Sequence, residues 1–192
     1  SEVPPGTGLG SSSSTAAALI TALAADREQH MSDLETAELA CSIEIDRMGM
    51  PIGRQDQYAS AVGGLNLISF GSGSVDVEPL ALSQTLLQDL SDRFMLFFTG
   101  HRRRSTEILA TQREETRRAG SATVEALHQI KDIAFRMLTA LQDGDLELVG
   151  QLLAESWHQK RSLAPGVSNP EIDRWYAEAR QAGASGGKIT RA

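Results

Sequence analysis

The chain has 192 residues, enough for one sizeable core or two small ones, and its 41% hydrophobic and 22% charged content is ordinary for a globular protein. A formal net charge of −7 argues against a nucleic-acid-binding or anionic-membrane surface. A single cysteine, Cys41, rules out an internal disulfide; with no apolar run approaching a membrane span and no visible signal peptide, the expected location is the cytoplasm.

The chain opens on Ser1-Glu2-Val3 without an initiator methionine and stops on Gly186-Gly187-Lys188-Ile189-Thr190-Arg191-Ala192 without a terminating element. Both ends therefore read as cut from something larger. Next comes the run Pro4-Pro5-Gly6-Thr7-Gly8-Leu9-Gly10, then Ser11 to Ser14 and an alanine-rich segment. Three alternating glycines remove side chains where a backbone could close around an anion. The helix that follows, expected over 11–26, offers unpaired N–H groups and a partial positive charge, a site suited to phosphate. Its hydroxyls could cap the helix or reach a magnesium ion held by phosphates. No Gly-Lys-Ser/Thr closes the loop, so this is not the Walker pattern. Taken alone, the run also reads as a plain glycine turn feeding a serine-capped helix.

Ser32-Asp33-Leu34-Glu35 is a capping box and starts a second helix running to about Met48. Its apolar stripe carries Ala37, Cys41 and Met48, with Cys41 read as a small buried hydrophobe. Glu44 falls on the same stripe, while Asp46 points away to solvent. A loop over 49–55 leads to a short helix from about Asp56 to Gly63-Gly64. Leu65 to Phe70 and Val75 to Leu80 read as a hairpin across Gly71-Ser72-Gly73-Ser74. A short helix or turn over 83–92 precedes Phe94 to Phe98, an apolar run expected to be a buried strand. Helices are expected at about 103–118, 121–141 and 145–162, and another from Asn169-Pro170-Glu171 to about Ala182, where Asn169 caps and Pro170 fills the first turn. Trp157, Trp175 and Tyr176 read as core. The pattern is α+β, with most helices in the second half and no internal repeat.

Three groups could carry chemistry. A carboxylate on an apolar stripe must be paired, hydrogen-bonded or metal-bound; by itself Glu44 is read first as one half of a salt bridge to an arginine. Asp56, at a loop-to-helix junction, is read first as an N-cap. Its functional reading is a carboxylate that accepts or orients a hydroxyl proton during phosphoryl transfer, kept ionised by Arg54. His101-Arg102-Arg103-Arg104 is either a solvated basic patch or a set of guanidinium forks for a sugar or nucleotide phosphate. His30, His101, His128 and His158 show no metal-ligand spacing.

With these elements placed, the chain resembles the GHMP kinase superfamily. Pro4 to Ser13 resembles its phosphate loop, and Gly49-Met50-Pro51-Ile52-Gly53 resembles the turn before its catalytic aspartate. More narrowly it resembles the bacterial D-glycero-D-manno-heptose 7-phosphate kinases. The residues behind this are Glu44-Ile45-Asp46, Gly53 to Ala59, Gly63-Gly64-Leu65-Asn66, Phe97-Phe98-Thr99-Gly100, Ser168-Asn169-Pro170 and Gly183 to Lys188.

The resemblance implies a truncated two-layer GHMP kinase-like fold. Residues 1–82 would be the later part of the ATP-binding domain, which is like the second domain of the fifth small-subunit ribosomal protein, and 83–192 a helix-rich C-terminal domain incomplete at its end. It implies ATP on Pro5, Gly6, Thr7, Gly8, Leu9, Gly10, Ser11, Ser12 and Ser13, and Mg2+ on Ser12 and Glu44. Asp56 would be the catalytic base, and Arg103, Gln57 and Tyr58 would contact substrate. The implied activity is phosphorylation of the anomeric hydroxyl of a heptose 7-phosphate. A kinase for fucose or galactose and a nucleotide-binding relic without turnover are the alternatives. Expected partners are ATP, a small sugar or sugar phosphate and at most a second copy of the chain. Two departures stand out: the family's first motif is missing, and its third should run on from Lys188 into glycines where Arg191 stands.

Overall fold

The computed structural model describes residues 8–99, 109, 112, 114–118 and 120–190. The chain divides into two units, Ser1–Leu80 and Ala81–Ala192.

In the first unit, α1 (Ser11–Asp26) buries Ser13, Ala17, Ile20 and Ala24, one stripe at helical spacing. Helix α2 (Asp33–Cys41) starts at Ser32, whose hydroxyl accepts from the Glu35 amide while the Glu35 carboxylate accepts from the Ser32 amide. The expected capping box is present. The helix continues as a π-wound segment, Ser42–Arg47, closed by i→i+5 bonding from the Met48 amide to the Ile43 carbonyl at 3.0 Å. Wider winding turns each residue through a smaller angle, so the stripe drifts. Met48, expected on the buried face, is 64% exposed, while Glu44 stays buried and Asp46 is exposed as expected.

Helix α3 (Gln55–Val62) and the hairpin β1 (Asn66–Phe70) and β2 (Val75–Pro79) complete the unit, with Ile68 opposite Val77 and Phe70 opposite Val75. Ala37, Cys41 and Tyr58 form a buried cluster against which Ile45, Ala61, Ile68, Val75 and Val77 pack. Helices α1, α2 and α3 pack on one another, which brings the starts of α1 and α3 together beside Glu44.

In the second unit, α4 (Gln84–Arg93) starts at Ser83, whose hydroxyl accepts from the Leu86 amide. Helices α5 (Ala122–Asp143) and α6 (Leu146–Arg161) form a hairpin through Gly144, which takes the left-handed conformation at φ 73°. Helix α7 (Pro170–Gln181) is capped by Asn169, whose side chain accepts from Ile172 at 2.9 Å, with Pro170 in the first turn as expected. Trp157, Ala164, Val167 and Ile172 form its buried cluster, packed by Trp175, Tyr176 and Ile189.

One expectation is overturned. Phe94 to Phe98 is not a buried strand: it has no strand assignment, and its five side chains are 53–74% exposed. An apolar run specifies burial only where another surface covers it, and no described strand pairs with this one. The helix expected at 103–118 lies largely outside the described residues; within it 109, 112 and 114–116 are helical. Among the described residues no helix is long and apolar enough to cross a membrane.

Candidate active site

The described part of the glycine loop is Gly8-Leu9-Gly10. Gly8 and Gly10 adopt φ 77° and 66°, the left-handed region that glycine enters without a Cβ penalty. Gly10 is the N-cap residue of α1 and brings no side chain to cap the helix. Among the described residues no group occupies the amides of its first turn, and a helix start of this kind suits an anion. Pro5, Gly6 and Thr7 lie outside the described residues.

The serines do not act alike. Ser12 is exposed. Ser13, 1% exposed, donates its hydroxyl to Glu44 Oε2 at 3.1 Å, and Ser14 Oγ lies 3.2 Å from Ser60 Oγ, tying α1 to α3. The hydroxyl that reaches Glu44 thus belongs to Ser13, a contact sequence reasoning missed. Its signal was available: Ser13 begins the stripe that continues through Ala17, Ile20 and Ala24.

Glu44 is 4% exposed. Among the described residues no arginine pairs with it; Ser13 and Gln57 hold it, with Gln57 Nε2 donating to Oε2 at 2.7 Å. Oε1 accepts no hydrogen bond from the described residues.

Asp56 is not the N-cap of α3. That position is Arg54, with no side-chain cap bond, and Asp56 stands second in the helix. A carboxylate there is favoured by the positive end of the helix. A Cβ built on Gly10 would lie 3.8 Å from Asp56 Cβ and 3.9 Å from its Cγ, so this half-buried carboxyl flanks the last glycine of the loop.

Arg54, expected to keep the Asp56 carboxylate ionised, reaches Tyr58. Its guanidinium donates to the Tyr58 hydroxyl at 3.2 Å and lies 5.5 Å from the centre of that ring. The Tyr58 hydroxyl in turn donates to Glu38 at 3.5 Å, and its ring meets Phe70 edge-on. Gln57 and Tyr58, expected on the substrate, are 0% and 1% exposed and turned into the unit. They correct to supports for Glu44 and for the α2–α3 contact. Cys41 is a buried free thiol as expected, its titration pushed up by burial. Arg103 and the rest of 101–104 lie outside the described residues.

What this arrangement offers is open backbone amides, hydroxyls and a fixed, buried carboxylate beside a second carboxylate. That donor set suits a polyphosphate with a hard cation, and Glu44 Oε1 is an unengaged anionic oxygen for one. Among the described residues no three carboxylate, imidazole or thiol groups cluster around a metal position. Protein ligands to such a cation would thus be Glu44 and hydroxyls.

Residues 1–64 match the family model for the GHMP kinases N terminal domain, and residues 137–192 match that for GHMP kinases C terminal. The whole chain aligns at 35% identity with the D-glycero-alpha-D-manno-heptose 7-phosphate kinase of Campylobacter jejuni, over 56% of that protein. It aligns over 99% of its length at 28% identity with 18% of the bifunctional fucokinase/GDP-fucose pyrophosphorylase of Arabidopsis thaliana. Among solved structures, the D-glycero-D-manno-heptose 1-phosphate kinase of Bacteroides thetaiotaomicron superposes with a TM-score of 0.74 at 28% identity, over 99% of this chain and 52% of that one. The chain spans about half the length of these heptose phosphate kinases.

Proposed function

As this chain belongs to the GHMP kinases, we propose that it is the nucleotide-binding and catalytic portion of a cytoplasmic, ATP-dependent kinase that converts D-glycero-D-manno-heptose 7-phosphate to its 1,7-bisphosphate. The observation that carries this reading is Asp56 set against Gly10, a carboxylate within reach of whatever the glycine loop holds. The heptose phosphate kinases among its relatives support the substrate class.

In this reading the amides from Gly8 to Ser12 take the ATP phosphates. Glu44 and the Ser12 hydroxyl would hold a Mg2+ ion, which would supply charge neutralisation to the nucleotide's phosphates. Asp56 orients the anomeric hydroxyl and takes its proton as that oxygen bonds to the γ-phosphorus. The bond from the γ-phosphorus to the bridging oxygen breaks, and ADP leaves. Positioning and fixed dipoles provide most of the acceleration. Arg103 is our candidate for the substrate's own phosphate.

The test is ADP release with Mg·ATP, comparing heptose 7-phosphate with fucose, galactose and mannose. We expect release with the phosphorylated heptose alone, and Asp56→Asn should lower it by about 100-fold or more with ATP binding nearly intact. Release with a free sugar would replace the substrate, and the fucokinase-like relative makes fucose the first to try. Unchanged turnover in Asp56→Asn would remove the assigned base.

A further inference from the structure

We infer that Ser13 and Gln57 form a two-donor clamp that positions Glu44, holding Oε2 from opposite helices so that Oε1 is the one oxygen presented to a divalent cation. The inference rests on the reading of Glu44 as the carboxylate that meets the nucleotide's metal.

All three side chains are withdrawn from water, at 1%, 4% and 0% exposure for Ser13, Glu44 and Gln57. The hydroxyl comes from the first turn of α1 at 3.1 Å and the amide from the first turn of α3 at 2.7 Å, both to Oε2. A carboxylate so held cannot rotate without giving up both bonds. Oε1 then has no donor among the described residues.

Gln57 shows that the clamp serves Glu44 rather than the core. Only its Nε2 can donate to a carboxylate, which fixes the amide's orientation and strands Oε1 buried without a partner. An unsatisfied buried carbonyl is a cost, and an apolar residue of that size would fill the same space without it. Two neutral donors do not neutralise a buried carboxylate, and no cationic side chain among the described residues pairs with it. The missing countercharge belongs on the other oxygen, beside the turn whose amides would take the phosphates in the proposed reading. Groups that orient a metal ligand in this way shift metal affinity without touching the metal.

The experiment measures ATP binding to the 192-residue chain by calorimetry across a Mg2+ series and in EDTA. Ser13→Ala and Gln57→Leu should each raise the Mg2+ needed for half-maximal binding by about 10-fold, with affinity in EDTA unchanged. Ser13→Thr, which keeps the hydroxyl, should restore the Mg2+ requirement. Glu44→Gln should raise it further. If Glu44→Gln raises it while the clamp variants leave it flat, the clamp is overturned and the reading of Glu44 stands. If Glu44→Gln leaves it flat, both fall. Equal loss of ATP affinity in EDTA would mark the two residues as merely structural and overturn the inference. Ser13→Ala, the smaller change, decides should Gln57→Leu not fold.

Discussion

At the scale of single residues, the clearest lesson is how phase sorts identical side chains. Ser11 to Ser14 are equivalent as composition, yet only Ser13 lies on the buried stripe of α1 and reaches Glu44. The same burial governs two titrating neighbours, Cys41 and Tyr58, which share one cluster. Burial raises the thiol above its ordinary 9.0 and the phenol above its ordinary 10.0. Each folded state therefore holds its proton more tightly than the unfolded chain does. The associated stability is fully present below the unfolded values and is lost as pH rises through the folded ones. The melting temperature should hold steady to about pH 8 and fall beyond the ordinary thiol and phenol range. Tyr58→Phe should shrink the part of the fall above pH 10, while costing about 1 kcal/mol at neutral pH through its lost hydroxyl bonds. Circular-dichroism melts across pH check this, and an equal alkaline fall in Tyr58→Phe would assign the loss elsewhere.

At the scale of elements, the sequence signals that worked were local. The capping box at Ser32, the Asn169 cap with Pro170, and the Gly71 to Ser74 hairpin all depend on a few neighbouring residues, and all appear. What failed needed information from elsewhere in the chain. The π-winding at Ser42–Arg47 altered the phase of a stripe that a uniform helical period would have extended to Met48. Another long-range feature was equally hidden: in Gly183 to Lys188, glycine is needed at one place more than its neighbours. A Cβ on Gly186 would collide with the Gly150 carbonyl oxygen of α6, which is backbone and cannot swing aside. A Cβ on Gly187 would meet Tyr176 at an ordinary 3.9 Å. Gly186→Ala should therefore destabilise the second unit by about 3 kcal/mol through overpacking, whereas Gly187→Ala should be within about 0.5 kcal/mol of the parent. Denaturant melts followed by tryptophan fluorescence would compare them, since Trp157 and Trp175 report on that unit. Equal effects from the two substitutions would show that the close approach does not hold in solution.

At the scale of the whole molecule, short motifs are easier to read in a sequence than the fate of an apolar run. A glycine loop, a helix carboxylate and an aspartate after a Gly-x-Pro-x-Gly turn are written in short motifs. Whether an apolar run is inside or outside depends on all that could cover it. Phe94 to Phe98 carries the composition of a buried strand and stands in the open, at 72% exposure for Phe97 and 69% for Leu96. Contiguous apolar side chains without a covering surface bind other apolar surfaces, including each other. The chain should therefore bind a hydrophobic dye such as anilinonaphthalene sulfonate in its native state and scatter light increasingly with concentration. Replacing Leu96 by Glu together with Phe97 by Lys should lower both signals and shift stability by no more than about 0.5 kcal/mol, because exposed side chains contribute little to the fold. A large drop in melting temperature with unchanged dye binding would show instead that these side chains are covered in solution.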